Sequence, residues 1–255
     1  MEIVILGSGS SIGVPAIGCK CKTCQSDNPR NKRSRASIMI KWDAFNLLVD
    51  TSPDLWVQAI SNKLNKVDAV VYTHAHADHI AGIDNLRSFN FLKDGPLDIY
   101  GLPETLDYLE QNYSYCFEEM KSSTWYKPLL IPHRQNHGDV IELGGKSINL
   151  FTLSHGGMNV FGLRVDKVAY TTDFKAIPED SARFLEGLDL WVIDCLKYDE
   201  SPGHLSFEQS MKLIEKYKPR KAVLCHLAHE LEYDEISKLI PANVTVGYDG
   251  LVINA

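Results

Sequence analysis

The stretch Val67-Asp-Ala-Val-Val-Tyr-Thr73 runs directly into His74-Ala-His76-Ala-Asp78-His79. Its first part is a short apolar, β-branched run, the pattern of a strand that packs on both faces. Its second part places three imidazoles and a carboxylate on the loop that leaves this strand and enters a helix. Neutral imidazoles and carboxylates suit Zn²⁺, Mn²⁺ or Fe²⁺, and their close alternation lets side chains of one tight loop face two adjacent ions. The chain has nine histidines in 255 residues. Chance placement of three of them with an aspartate in this pattern is on the order of one in a thousand or rarer. A metal site at a strand end is therefore the first expectation.

Working outward, apolar β-rich runs recur at 2–6, 37–41, 45–50, 68–73, 148–153, 160–165, 168–172, 189–194 and 221–225, each closed by a turn or polar residue. Helical segments are predicted at Pro53–Leu64, Pro103–Tyr113 and Ser206–Tyr217, the last opening with Ser206-Phe-Glu-Gln209 in capping-box form. Strands and helices interleave, so the class is α/β. No internal repeat, low-complexity tract or long Pro/Gly/Ser linker divides the chain, and a single domain over 1–255 is expected. The segments Leu86–Lys93 and Tyr113–His137 are read as loops. Gly7–Asn31 is a long loop of a different kind: it is rich in glycine, carries Cys19, Cys21 and Cys24, and needs a fixture of its own.

Composition narrows the function. With 44% hydrophobic and 23% charged residues the chain is an ordinary globular one. No run approaches the ~20 apolar residues of a membrane helix, so no membrane partner is expected. The opening Met1-Glu-Ile-Val-Ile-Leu6 lacks the form of a signal peptide. A reducing, cytoplasmic location follows as the expectation, because six cysteines are too few for a disulfide scaffold of this length. A net charge of −7 disfavours a broad nucleic-acid footprint, which needs clustered Lys and Arg; the one basic cluster, Arg30 to Arg35, is short.

The motif His-x-His-x-Asp-His after a strand resembles the signature of the metallo-β-lactamase superfamily, whose fold is a four-layered αβ/βα sandwich. Its remaining motifs follow in order: Asp50 closes Phe45–Asp50, His155 follows Ile148–Ser154, Asp173 closes Val168–Thr172 and His226 closes Lys221–Cys225. By this resemblance His74, His76 and His155 hold one metal, and Asp78, His79 and His226 hold the other. Asp173 bridges the two and Asp50 supports the site without ligating. Two divalent ions, Zn or Mn, held a few ångströms apart acidify a shared water and offset charge on attacking and leaving oxygens, which favours phosphoester hydrolysis.

Cys19-x-Cys21-x₂-Cys24 offers three thiolates to a structural Zn²⁺, and His229 in Cys225-His-Leu-Ala-His229 is the candidate fourth ligand. One turn would then send His226 to the catalytic pair and His229 to the cysteines. Cys116, Cys195 and Cys225 are read as core thiols. This cysteine loop ahead of an intact His-x-His-x-Asp-His resembles the cyclic-phosphate phosphodiesterases of the bacterial carbon–phosphorus lyase pathway. The resemblance implies a small, cyclic phosphodiester as substrate, and His204, in Ser201-Pro-Gly-His-Leu-Ser206, as proton donor to the leaving alkoxide. Asp78 and His204 are the expected catalytic residues. Gly7-Ser-Gly-Ser-Ser11, Arg33, Arg35, His133 and His137 are weaker candidates for lining the cleft or attracting phosphate. Two alternatives stay open. One is a ribonuclease Z-like tRNA endonuclease, disfavoured because its gripping arm typically enters between the third-motif His and the bridging Asp, here eighteen positions apart. The other is a non-catalytic accessory protein like the pyrroloquinoline-quinone biosynthesis B protein, which commonly lacks the full ligand set. A homodimer is a further expectation from relatives.

Overall fold

Strands that bury both faces need a layer on either side, and the chain meets that need by stacking two sheets and covering each with helices. The computed structural model describes residues 1–119 and 126–255. Its strands are β1 (Glu2–Gly7), β2 (Ser37–Trp42), β3 (Phe45–Val49), β4 (Ala69–Val71), β5 (Leu97–Gly101), β6 (Leu130–Arg134), β7 (Val140–Leu143), β8 (Lys146–His155), β9 (Met158–Val165), β10 (Val168–Thr171), β11 (Leu190–Asp194), β12 (Lys221–Cys225), β13 (Val244–Val246) and β14 (Val252–Asn254). The α-helices are α1 (Lys22–Gln25), α2 (Leu55–Ser61), α3 (Ala77–Ile80), α4 (Leu86–Lys93), α5 (Pro103–Asn112), α6 (Phe207–Tyr217) and α7 (Tyr233–Ile236).

One sheet has the order β14-β1-β2-β3-β4-β5-β6 and the other β13-β12-β11-β10-β9-β8-β7. Alternation along each strand divides the core into three layers. Ile3, Ile5, Ile38, Ile40, Leu47 and Val49 of the first sheet face Leu150, Phe161, Leu163, Tyr170 and Val192 of the second. The opposite faces carry Val4, Leu48 and Val70 against Leu55, Leu86 and Leu106, and Trp191, Ile193 and Leu224 against Leu205, Ile214 and Ile236. Helix, sheet, sheet and helix thus form the expected four layers. Strands β3 to β6 run parallel, as do β10 to β13. The carboxyl ends of each parallel set therefore share one edge, where ligands bind in sheets of this kind. Phe161 N donates to Thr73 O at 2.9 Å, tying the second sheet to the histidine loop of the first.

Two expectations change. Leu86–Lys93 is the helix α4, a two-turn element without a side-chain cap at its start, with Leu86 and Phe89 buried and Phe91 and Leu92 exposed. The Tyr113–His137 segment is not all loop, since it contains β6 and a 3₁₀ turn at Ser114–Cys116, while 120–125 lie outside the described residues. Among the described residues no helix is long and apolar enough to cross a membrane.

The capping box of α6 is formed as read. Ser206 Oγ accepts from Gln209 N at 3.3 Å, and Gln209 Oε1 accepts from Ser206 N at 3.1 Å. Ser206→Ala should lower unfolding free energy by about 1 kcal/mol in urea denaturation, by loss of one N-terminal cap.

Candidate active site

Three strand ends turn into the site through a backbone conformation that side chains other than glycine rarely adopt. Asp50 after β3, Asp173 after β10 and His226 after β12 have φ of 63°, 51° and 61°. Each left-handed residue stops its strand and rotates the side chain over the shared edge, a strain that such centres commonly store. His155 ends β8, and the loop after β4 carries His74 and His76 into α3, which holds Asp78 and His79.

Seven of these side chains, all but Asp50, converge as two overlapping groups. His74, His76, His155 and Asp173 present ligand atoms within 4.8 Å of one another, and so do Asp78, His79, Asp173 and His226. The carboxylate of Asp173 is common to both. Its Oδ1 lies 3.3 Å from His79 Nε2 and 3.3 Å from His226 Nε2, while its Oδ2 faces His74 Nε2 at 3.9 Å. Asp78 Oδ2 stands 3.2 Å from His79 Nε2 and 3.5 Å from His226 Nε2. Although these pairs are close, Asp78 Oδ2, His79 Nε2 and His226 Nε2 have no properly directed hydrogen-bond partner and are sealed from solvent. Buried polar atoms are ordinarily satisfied, so three orphans aimed at one point fit a cation. His76 is exposed and opens this buried nest to solvent.

A second ring of contacts orients the first. Asp50 Oδ2 accepts from His79 Nδ1 at 2.7 Å and from Thr73 Oγ1 at 2.8 Å, and its Oδ1 accepts from Thr73 N at 2.8 Å. This turns His79 Nε2 inward. His155 Nδ1 donates to Gly203 O at 2.7 Å. Asp194, at the end of β11, is a residue that sequence reasoning missed. It is fully buried, accepts from Leu205 N at 2.8 Å, and turns Oδ1 toward His204 Nδ1 at 3.4 Å and His226 Nδ1 at 3.7 Å. The available signal was position: Asp194 closes an apolar strand as Asp50 and Asp173 do. His204, 18% exposed, stacks on His226 with centroids 4.8 Å apart and places Nε2 3.9 Å from Asp173 Oδ2.

Electrostatics follow from burial and neighbours. Burial, reinforced by the charge of His79, holds the His74 pKa well below the ordinary imidazole value, which keeps the ring neutral. Burial also opposes a charge on His79, but Asp173 and Asp50 outweigh it and lift its pKa well above the ordinary value. Burial likewise disfavours ionised Asp173, and the charges of His226 and His79 override it, so this carboxylate stays well below the usual range.

Away from this edge, Cys19, Cys21, Cys24 and His229 form a separate group within 4.8 Å, with Cys21 Sγ 3.4 Å and Cys19 Sγ 3.8 Å from His229 Nδ1. The loop is less irregular than expected, because Cys21 caps the short helix α1 by accepting from Cys24 N. That hydrogen bond is the main cause that lowers the Cys21 thiol to about 6, whereas burial pushes Cys24 up to about 11. Cys116, Cys195 and Cys225 are buried.

The weaker candidates have other partners. Arg33 is buried and donates to backbone carbonyls, Arg35 pairs with Asp54 at 3.3 Å, and His133 bonds Asp98 Oδ1 at 2.7 Å on the surface of β5 and β6. His137 Nδ1 lies 3.1 Å from Thr152 Oγ1. Gly7 and Gly9 serve close packing, since a Cβ on Gly7 would sit 2.0 Å from Arg35 O.

Residues 45–227 match the family model of the beta-lactamase superfamily domain. A crystal structure described as a new diphosphatase from the PhnP family is 34% identical, with a TM-score of 0.91 over 99% of this chain and 96% of that one. An octanoyltransferase of Porphyromonas gingivalis is 32% identical over 254 residues, covering 98% of this chain and 51% of that protein. Zn²⁺-bound PqqB from Methylobacterium extorquens has the same fold, with 22% identity and a TM-score of 0.81 over the whole of both chains. The chain spans about half the length, or less, of the curated relatives it matches first.

Gly203 leaves no room for a side chain, because a Cβ there would lie 2.8 Å from His155 Cε1 and 2.9 Å from its Nδ1. Gly203→Ala should displace the His155 ring and weaken divalent-metal retention by about tenfold or more, as loss of an orienting contact does. Metal quantification after graded chelation checks this.

Proposed function

The chain belongs to the beta-lactamase superfamily, and from that premise we propose that it is a binuclear metal-dependent hydrolase of small phosphodiesters. The observation that carries this reading is the split carboxylate of Asp173, with one oxygen toward His79 and His226 and the other toward His74. His74, His76 and His155 would hold one ion, Asp78, His79 and His226 the other, and Asp173 both. When bound, such a pair supplies an acidified water and Lewis-acid neutralisation of charge on the phosphoryl oxygens. The Cys19, Cys21, Cys24 and His229 group, three soft thiols with one imidazole, fits a structural zinc.

The remaining work falls to the chain itself. Asp50 fixes the tautomer of His79. Asp194 accepts from the Nδ1 side of His204, which directs His204 Nε2 into the site mouth above Asp173. As the imidazolium, with both ring nitrogens protonated, a ring so held can donate its Nε2 proton to a departing alkoxide, become the neutral Nδ1–H form and recover the proton from solvent. The interval between His155 and Asp173 is filled by β9 and β10, which supports a small substrate over a tRNA gripped by an inserted arm. A second reading, hydrolysis of a diphosphate bridge, is favoured by the activity named for the 34% identical neighbour. The octanoyltransferase name belongs to a protein about half of which lies outside the match.

Purified protein with Mn²⁺ or Zn²⁺ should hydrolyse bis(p-nitrophenyl) phosphate and 2′,3′-cyclic nucleotides and lose that activity on chelation. Preference for dinucleoside diphosphates would select the second reading, and turnover of an octanoyl thioester alone would overturn both. His204→Ala should lower turnover by about 10²- to 10⁴-fold with metal content retained.

Metal uptake should also release protons. His79 holds its proton to unusually high pH in the metal-free protein, and ligation requires the neutral ring. Apparent metal affinity should therefore rise with pH until that pKa is passed. Calorimetry at neutral pH in buffers of different ionisation enthalpy should show proton release on binding.

A further inference from the structure

Arg33 is a fully enclosed cation, 2% exposed, outside the catalytic edge. Burying a guanidinium is costly, and desolvation lowers its pKa to about 10 even with Asp249 and Glu232 nearby. Its contacts show what that cost supports. Nη1 donates to Ala228 O at 3.1 Å and Nη2 to Leu231 O at 2.7 Å, so one planar fork grips both ends of the turn that carries His229. Nε donates to Arg30 O at 3.3 Å, and Nη2 also faces Asn31 Oδ1 at 3.4 Å. The backbone of the same residue pairs with Val14 in both directions, Arg33 N to Val14 O at 2.7 Å and Val14 N to Arg33 O at 2.8 Å. Val14 begins the limb that leads to Ala16, whose N donates to Cys24 Sγ at 3.3 Å.

One residue thus touches both halves of the cysteine cluster: the loop that bears the thiols and the turn that bears the imidazole. That turn continues from the catalytic edge without a break. His226 is followed by Leu227, whose N donates to Ser8 O at 2.8 Å, and by Ala228, whose N donates to Leu196 O at 2.8 Å. Only Leu227 and Ala228 separate His226 from His229. No slack lies between them, because each intervening amide is fixed.

We propose that Arg33 is a positioning residue that couples the two metal centres, by locking the His226–Leu231 segment to the cysteine loop so that each centre holds its metal more tightly when the other is intact. The inference rests on the metal assignments proposed above. It predicts reciprocal effects, since coupling between two sites is the same in both directions. Removing the fork takes away the donor to Leu231 O and leaves Ala228 O only the Leu231 amide at 3.3 Å, which frees the turn, and both metals should then leave faster.

The test uses the fully loaded protein. Arg33→Met removes the donors at similar length, and Arg33→Lys keeps the charge but cannot span both carbonyls. Zinc release to a chromophoric chelator, well below the thermal midpoint of each variant, should be about tenfold faster or more from the cysteine centre. The catalytic metals should also leave severalfold faster, with Lys intermediate. Cobalt substitution supplies a signature that general destabilisation would not move: the thiolate-to-cobalt charge-transfer band should shift or weaken in a folded variant. In the wild-type protein, blocking the half-buried Cys19 and Cys21 thiols with a mercurial should release the cysteine-bound zinc and speed exchange of the catalytic metals. Unchanged release from both centres in Arg33→Met, or undisturbed catalytic exchange after mercurial treatment, would overturn the coupling. A wild-type protein that holds no thiolate-bound metal would instead overturn the zinc assignment beneath it.

Discussion

The constraint on which the structure turns is the placement of one buried carboxylate, Asp173, between two sets of imidazoles. A carboxylate with no solvent contact is expensive unless cations or donors surround it. Surrounding it requires histidines from β4, β8 and β12, which lie in two different sheets. The sandwich is the arrangement that brings these strands to a common edge, and the inner apolar layer fixes the two sheets against each other directly beneath it. The left-handed turns at Asp50, Asp173 and His226 are local costs that the rigid strands below can sustain.

This explains which parts were legible in the sequence. The His74–His79 loop could be read because its residues are close in the chain and chemically distinctive. His155, Asp173 and His226 could be read because each closes an apolar run, and the strand β13-to-β8 order of the second sheet brings those closures together. Asp194 follows the same rule and was passed over because an aspartate at a strand end is more often a turn former. Its role depends on His204 and His226 arriving from elsewhere, which no local pattern shows. Arg33 misled for the opposite reason. In a basic cluster it reads as solvated, yet its guanidinium is enclosed by carbonyls of residues 228 and 231, almost two hundred positions away.

Weak elements were missed on physical grounds of their own. Strands β13 and β14 have three residues each, too few for periodicity to register. Strand β7 alternates exposed Val140 and Glu142 with buried Ile141, a half-covered edge beside β8. Helix α4 is two turns long and has no side-chain cap at its start, so little in the sequence marks where it begins.

The site also reveals how folding and metal are divided between parts of the chain. Asp78, His79 and His226 keep buried atoms without partners, so the ligand nest by itself opposes folding. It nonetheless stands ready, because three extensive apolar layers lie beneath it and the bonds of Asp50 and Gly203 hold His79 and His155 from behind. The core supplies the stability that the nest consumes, and the nest is pre-organised as a result. The cysteine loop has no such core. Gly7 to Asn31 is anchored by backbone pairs at Gly9 and Val14, by Asn31 donating to Glu232, and by the Cys19, Cys21, Cys24 and His229 group. Rigidity there has to come from polar contacts, and Arg33, a fully buried guanidinium, sits at its root.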